Sequence, residues 1–239
     1  MSTPKVAYYP TRLESDRALI EADLESLLRG PGGGRSAFRE AMTYAVMGPG
    51  QRIRPLLALR MARVVGGDEP LALRCASSIE LLHCASLIVD DLPSMDDEKI
   101  RRGKPAAHVA FGEPTALLAA FGLVALAARS PVEISCPPAL LSGVIRFQIE
   151  LLKVLDASGL CEGQDMDLRL SGAERERHRA VMNELKTVPL FELCAHAAAI
   201  HIDPESLEAR ALRRFAREYG IAFQAVDDLL DGALADRKL

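Results

Sequence analysis

The sequence predicts an all-α chain folded as a single helical domain, and three observations carry that prediction. Apolar residues recur at helical spacing along most of the 239 residues. Strand-like alternation is nearly absent, and Gly/Pro clusters punctuate the helical runs instead of interrupting them.

Taken in order, the first segment, MSTPKVAYYPTRLESDRALIEADLESLL, has no apolar core of the kind a signal peptide needs. Its second half is acidic, so neither a signal nor a transit peptide is expected. Phe38, Ala41, Met42, Ala45 and Val46 then follow the i, i+3, i+4, i+7 pattern of an amphipathic helix. A strongly apolar helix is expected from about Leu71 to Asp91. The run from Ala116 to Ala128 is about 13 residues long, short of the roughly 20 needed to span a bilayer, and reads as a core helix and not a transmembrane segment. A last helix, from about Ser206 to Asp231, carries Leu212, Phe215, Tyr219, Phe223, Val226 and Leu230 on one apolar face. Breakers at Gly48-Pro49-Gly50, Gly66-Gly67, Pro93, Cys136-Pro137-Pro138 and Asp203-Pro204 divide nine or ten helices. With no internal repeat or long linker, residues 1–239 read as one domain.

Composition excludes several classes of function. Apolar residues make up 49% of the chain, too many for a disordered protein. The 29 basic and 33 acidic residues leave a net charge of −4, which offers no nucleic-acid surface. The five cysteines lack CxxC or Cys/His metal spacing and are expected as reduced, buried thiols of a cytoplasmic protein.

Two carboxylate clusters do not fit a plain helical bundle. Asp90-Asp91-Leu92-Pro93-Ser94-Met95-Asp96-Asp97 closes one apolar helix, and Asp227-Asp228-Leu229-Leu230-Asp231 follows another apolar run. Gln224, Asp227 and Asp231 share one stripe. Aspartates one turn apart repel each other unless cations neutralise them. Hard oxygen donors of this kind suit Mg²⁺, which shares its coordination sphere with water and substrate phosphates. Gln51-Arg52-Ile53-Arg54-Pro55 and Arg101-Arg102-Gly103-Lys104 read alone as surface charges. Beside the Asp clusters they become phosphate anchors, because Arg binds phosphate oxygens in a bidentate way. His83 lies seven residues before Asp90 on the same helix face, and Lys186-Thr187 places a cation and a hydroxyl on a mainly apolar helix.

In their order, GPGQRIRP, IELLHCASLIVDDLPSMDDEKIRRGKPAAH, EGQDMDL, ELKTVPLF and FQAVDDLLD resemble the trans-type polyprenyl diphosphate synthases, specifically bacterial geranylgeranyl or farnesyl diphosphate synthases. The resemblance runs from about Arg35 to Asp231. It implies an isoprenoid-synthase-like helical bundle around a central apolar cavity, a homodimer, and Mg²⁺ as cofactor. It also implies condensation of isopentenyl diphosphate with an allylic diphosphate. Asp90, Asp91 and Asp96 would hold Mg²⁺ on the allylic diphosphate, opposite Asp227, Asp228 and Asp231. Arg101 would contact the allylic diphosphate, while Arg54, His83 and Arg102 bind isopentenyl diphosphate and Arg52 adds positive field. Gln51 stands where the family usually has Lys, which weakens that contact. Lys186, Thr187 and Gln224 would line the reacting centre. The small residues Ala85 and Ser86, one turn before the first Asp cluster, would leave a tunnel open for the geranylgeranyl product. An aromatic residue at Ala85 would favour farnesyl diphosphate.

The resemblance further implies helices after the second Asp cluster, so the chain is expected to lack the family's C-terminal helices. Two rival readings accompany the synthase. A class I terpene cyclase shares the fold, but usually changes the second Asp cluster and needs more aromatic residues than the 5% present. A regulatory subunit of a heteromeric prenyl synthase usually loses one or both clusters.

Overall fold

The computed structural model describes residues 8–30 and 36–235, and among them ten α-helices and one minimal hairpin. Helix α1 spans Tyr8–Arg29, and α2 spans Ala37–Val46, capped by Ser36 Oγ, which accepts from Arg39 N at 3.3 Å. Helix α3 runs over Ile53–Val64. Helix α4, Glu69–Asp90, starts at Asp68, whose carboxylate accepts from Leu71 N at 3.0 Å. Strands β1 (Ile100–Arg101) and β2 (Lys104–Pro105) form the hairpin, followed by α5 (Ala107–Phe111), α6 (Glu113–Glu133) and α7 (Leu141–Lys153). Helices α8 (Leu160–Arg169), α9 (Gly172–Ala198) and α10 (Leu207–Ala235) complete the element order.

The centre of the bundle is α4. It is apolar nearly all round, from Leu71 through Ile79, Leu81, Leu82 and Ala85 to Ile88, and a helix of that kind is stable only when surrounded. Helix α6 packs along one side of it and α3 along another, while α9 braces α3, α8 and α10. Ion pairs tie α1 onto this frame: buried Asp16 accepts from Arg60 at 3.0 Å and Arg63 at 2.6 Å, and Asp23 takes Arg74 at 3.0 Å. Phe38 of α2 crosses α6 at Gly122, where a Cβ would lie 2.6 Å from the Phe38 ring, so that crossing requires glycine.

Three expectations need correction. The apolar run at Ala116 belongs to a 21-residue helix, so α6, like α4, is long and apolar enough to cross a membrane by length and composition. The length argument therefore fails, and what describes α6 is its packing against α4, α2, α5 and α7. The expected apolar face of α10 is only partly covered. Ala209, Ala216 and Gly220 face inward, whereas Phe215, Tyr219 and Val226 are 52%, 38% and 54% exposed. Helix α10 packs mainly on α9 among the described residues, and one neighbour covers only one side of a helix. All five cysteines are free, but only Cys75, Cys84 and Cys194 are buried; Cys136 is half-buried and Cys161 exposed.

Candidate functional site

The basic wall begins at the Gly48-Pro49-Gly50 turn. Arg52, the residue before α3, adopts a left-handed backbone (φ 54°) that sends its side chain inward. Its guanidinium donates to Glu80 at 2.8 Å and to the Val46 and Gly48 carbonyls at 2.7 and 3.3 Å. At 3% exposure, Arg52 is the buried strut of this turn and not a lining residue of any cavity that holds the other site groups. Gln51 beside it is exposed, and its carbonyl accepts from Arg17 at 2.8 Å. Arg102 sits at the tip of the hairpin, also left-handed, and donates to Pro49 O at 3.2 Å. A Cβ on Gly50 would fall 2.8 Å from Arg102 Nη1, so glycine lets the two loops meet. Tyr44 of α2 holds the hairpin from its other side, donating to Pro105 O at 2.7 Å.

His83 joins two of these arginines. Its Nε2 lies 3.4 Å from Arg54 Nη1 and 3.3 Å from Arg102 Nη2. Both guanidinium groups only donate, so Nε2 is the acceptor and the ring proton belongs on Nδ1. Burial, then Arg54 and Arg102, push the His83 pKa well below the ordinary histidine value and keep the ring neutral. Arg54 lies 4.7 Å from the Phe191 ring centroid and 5.8 Å from that of Phe223. Burial lowers its pKa as well.

The carboxylates gather at the C-terminal end of α4. After Leu92 the chain folds back, with Asp96 N donating to Asp90 O at 2.9 Å and Asp97 N to Leu92 O at 3.1 Å. Burial and the nearby Asp96 and Asp91 raise the Asp90 pKa to about 6, against the opposing field of Lys186 and Arg101. Asp96 accepts from Gln164 Nε2 at 3.0 Å. Asp91 and Arg101, expected to serve metal and diphosphate respectively, are paired with each other, Arg101 Nε lying 2.9 Å from Asp91 Oδ1. Among the described residues, no three Asp, Glu, His or Cys side chains close up into a metal cage. Asp90 and Asp96 nonetheless fit a divalent cation that takes most of its ligands from phosphate and water. They are crowded carboxylates, and no ion pair is made to either among the described residues. Burial lowers the Arg54 pKa, and on α10 the charge of Asp227 acts against that shift. The side chains of Asp228 and Asp231 lie outside the described residues.

Helices α8 and α9 form the opposite wall. Gly163 lets them approach, since a Cβ there would meet Lys186 Cγ at 2.8 Å. Lys186 Nζ donates to Asp167 Oδ2 at 2.7 Å, and Arg175 donates to the other oxygen of the same carboxylate. Thr187 Oγ1 donates to Gln224 Oε1 at 2.5 Å, joining α9 to α10. Pro189 has no N–H to offer the Leu185 carbonyl, which loosens the helical ladder beside Lys186 and Thr187.

These walls enclose a polar cavity of about 340 Å³ lined by Arg54, His83, Asp90, Lys186, Thr187 and Gln224 among others. It adjoins an apolar cavity of about 350 Å³ bounded by Ala85, Val89, Ala120, Phe121, Val124 and Leu168. Ser86, Asp90, Leu160 and Gln164 line both. Arg101, Arg102 and Asp91 instead line a separate small pocket of about 50 Å³. Sequence reasoning left Gln164, Asp167, Arg175, Arg179 and Asn183 unassigned, although all line the polar cavity. A signal existed for the last three: with Lys186 they fall at i, i+4, i+8 and i+11, one stripe of a helix.

The model of the family described as polyprenyl synthetase matches residues 35–239. Among curated relatives, the chain is 37% identical over 207 residues to geranylgeranyl pyrophosphate synthase 10, mitochondrial, of Arabidopsis thaliana, covering 84% of this chain and 60% of that protein. It is 40% identical to the putative geranylgeranyl pyrophosphate synthase 8, chloroplastic, of the same plant, covering 81% and 55%. The chain thus spans a little over half the length of these relatives. Its fold is similar to that of a geranyltransferase from Legionella pneumophila, with a TM-score of 0.87 and 32% identity over 93% of this chain and 79% of that one. An FPP/GFPP synthase from Zymomonas mobilis gives a TM-score of 0.83 and 34% identity over 93% and 81%.

Proposed function

The chain belongs to the polyprenyl synthetase family, and from that premise we propose that it joins isopentenyl diphosphate to an allylic diphosphate, releasing geranylgeranyl diphosphate as product. The observation that carries this reading is the shared wall of the two cavities. A cationic and carboxylate-lined chamber opens at Ser86, Asp90, Leu160 and Gln164 onto an apolar one, matching a substrate with a diphosphate head and a hydrocarbon tail.

In this reading Arg54 and Arg102, held by neutral His83, take the diphosphate of isopentenyl diphosphate. Lys186 offsets the negative charge that grows on the diphosphate leaving the allylic partner, and Thr187 and Gln224 turn oxygen dipoles towards the electron-poor carbon left behind. The isopentenyl double bond then forms the new C–C bond, and the proton lost from the adjacent carbon goes to the released diphosphate. Mg²⁺, held by Asp90 and Asp96 and, as the resemblance implies, by Asp227, Asp228 and Asp231, would supply further charge neutralisation on the leaving group. The lining at Ala85 and Ser86 is small, which supports a growing chain passing this point. A homodimer is also part of the proposal, supported by exposed apolar side chains on α6 (Leu117, Leu118, Phe121) and α7 (Leu141, Ile145, Ile149, Leu152). A cytoplasmic setting completes it.

The test is incorporation of labelled isopentenyl diphosphate into longer diphosphates by the purified chain. Incorporation that EDTA abolishes, and that Asp90→Ala reduces by about 100-fold or more, supports the proposal. No incorporation under any metal condition refutes it.

A further inference from the structure

Asp167 is a carboxylate shared by two cations on one helix. Its Oδ2 takes Lys186 Nζ at 2.7 Å and its Oδ1 takes Arg175, eleven residues earlier on α9. The three side chains differ sharply in exposure: 15% for Asp167, 26% for Lys186 and 54% for Arg175. Lys186 and Asp167 therefore sit inside the cavity wall, and Arg175 closes the group from its mouth. Charge counting gives this arrangement a purpose. A Lys186–Asp167 pair alone would be neutral and would present little field to a diphosphate, although the carboxylate would hold the ammonium in place. With Arg175 added, the group carries one net positive charge and Lys186 is still held. The field of Lys186 reaches across the cavity to Asp90.

We propose that Arg175 is a positioning residue that acts on Lys186 through Asp167, cancelling the charge of the carboxylate that orients the ammonium. The inference rests on the reading of Lys186 as the group that meets the allylic diphosphate. Arg175 does not itself touch the reacting atoms. Its sequence context, Glu174-Arg175-Glu176-Arg177-His178-Arg179, is rich in charge, and Arg175 and Arg179 both line the polar cavity, but of the two only Arg175 has a hydrogen bond to Asp167.

The experiment compares wild type, Arg175→Gln, Arg175→Lys, Asp167→Asn and the Arg175→Gln/Asp167→Asn double variant. Affinity for inorganic diphosphate in Mg²⁺ buffer is read by calorimetry, and kcat with both substrates is read alongside it. Arg175→Gln should weaken diphosphate binding and kcat about tenfold, less than the ~100-fold typical of losing a direct electrostatic contact. Arg175→Lys should stay near wild type. The double variant should regain most of the binding lost in Arg175→Gln, because removing the carboxylate restores the positive charge, while kcat stays low because Lys186 is no longer oriented. Exposed Arg177→Gln serves as the unaffected control, and melting temperatures report folding. The proposal is overturned if the double variant binds no better than Arg175→Gln, or if Arg175→Gln matches the control. Diphosphate binding by wild type without turnover would defeat the proposed reaction, yet the affinity order would still decide the role of Arg175. A wild type that binds no diphosphate would overturn that role as well.

Discussion

Arg101 and Asp91 hold each other across the base of the first Asp cluster: Arg101 Nε lies 2.9 and 3.2 Å from the two Asp91 oxygens, and Nη2 also donates to Oδ1. Asp91 is 2% exposed, so its charge depends on this partner. Arg101→Gln should destabilise the fold by about 2 kcal/mol, below the usual cost of breaking a fully buried pair because the arginine side is partly solvated. Calorimetry should then record a melting temperature lower by roughly 4–8 °C. Adding Asp91→Asn should recover much of that loss. An unchanged melting temperature in Arg101→Gln would mean the pair contributes nothing to the fold.

Acid should weaken the fold through His83. Its folded pKa is depressed, so below the unfolded value of about 6.5 the unfolded chain binds a proton that the native chain refuses. Stability from this group is complete above pH 6.5 and is lost as the pH falls below it, by up to about 1.4 kcal/mol per pH unit. His83→Gln keeps an acceptor for the two arginines without a titrating ring. Melting curves between pH 7.5 and 4.5 should therefore fall less steeply for the variant than for wild type. Parallel curves would contradict the neutral, buried imidazole.

Neighbours in sequence, Gln51 and Arg52 should respond oppositely. Arg52→Gln strands Glu80 in the core and should cost about 3–5 kcal/mol, visible as a lower denaturation midpoint. Gln51 is exposed, and Gln51→Lys should leave the midpoint unchanged while lowering KM for isopentenyl diphosphate several-fold through charge assistance. If Arg52→Gln instead raised KM at unchanged stability, Arg52 would be a substrate contact after all.

This contrast marks the limit of what local spacing reveals. The i, i+7 relation of His83 and Asp90, the apolar pattern of α2 and the approximate extents of α4 and α10 were legible, because helical periodicity fixes which residues share a face. The small residues Ala85 and Ser86 do line the apolar cavity. Partners across the chain were not legible. Nothing in GPGQRIRP announces that a left-handed backbone at Arg52 turns that guanidinium towards Glu80, 28 residues on. The match of Asp91 with Arg101 and the bridging of Lys186 by Asp167 depend likewise on how the hairpin and α8 fold back. The exposed aromatics of α10 escaped for a related reason: periodicity defines an apolar face but not what covers it.

Ala85→Phe should shorten the product. Ala85 is buried in α4 and lines the apolar cavity, so a phenyl ring there would fill the space next to Ser86 through which the proposed reaction extends its product. With geranyl diphosphate as starter, chromatography of the dephosphorylated products should move from geranylgeraniol to farnesol. The same product lengths in both proteins would mean that chain growth does not use this cavity.

The most direct test of the account sizes the products made by the unmodified chain from Mg²⁺, labelled isopentenyl diphosphate and farnesyl diphosphate. The proposed function predicts a single addition, giving geranylgeranyl diphosphate that disappears with EDTA. Metal-dependent turnover to a cyclic hydrocarbon, or no elongation at all, would contradict it.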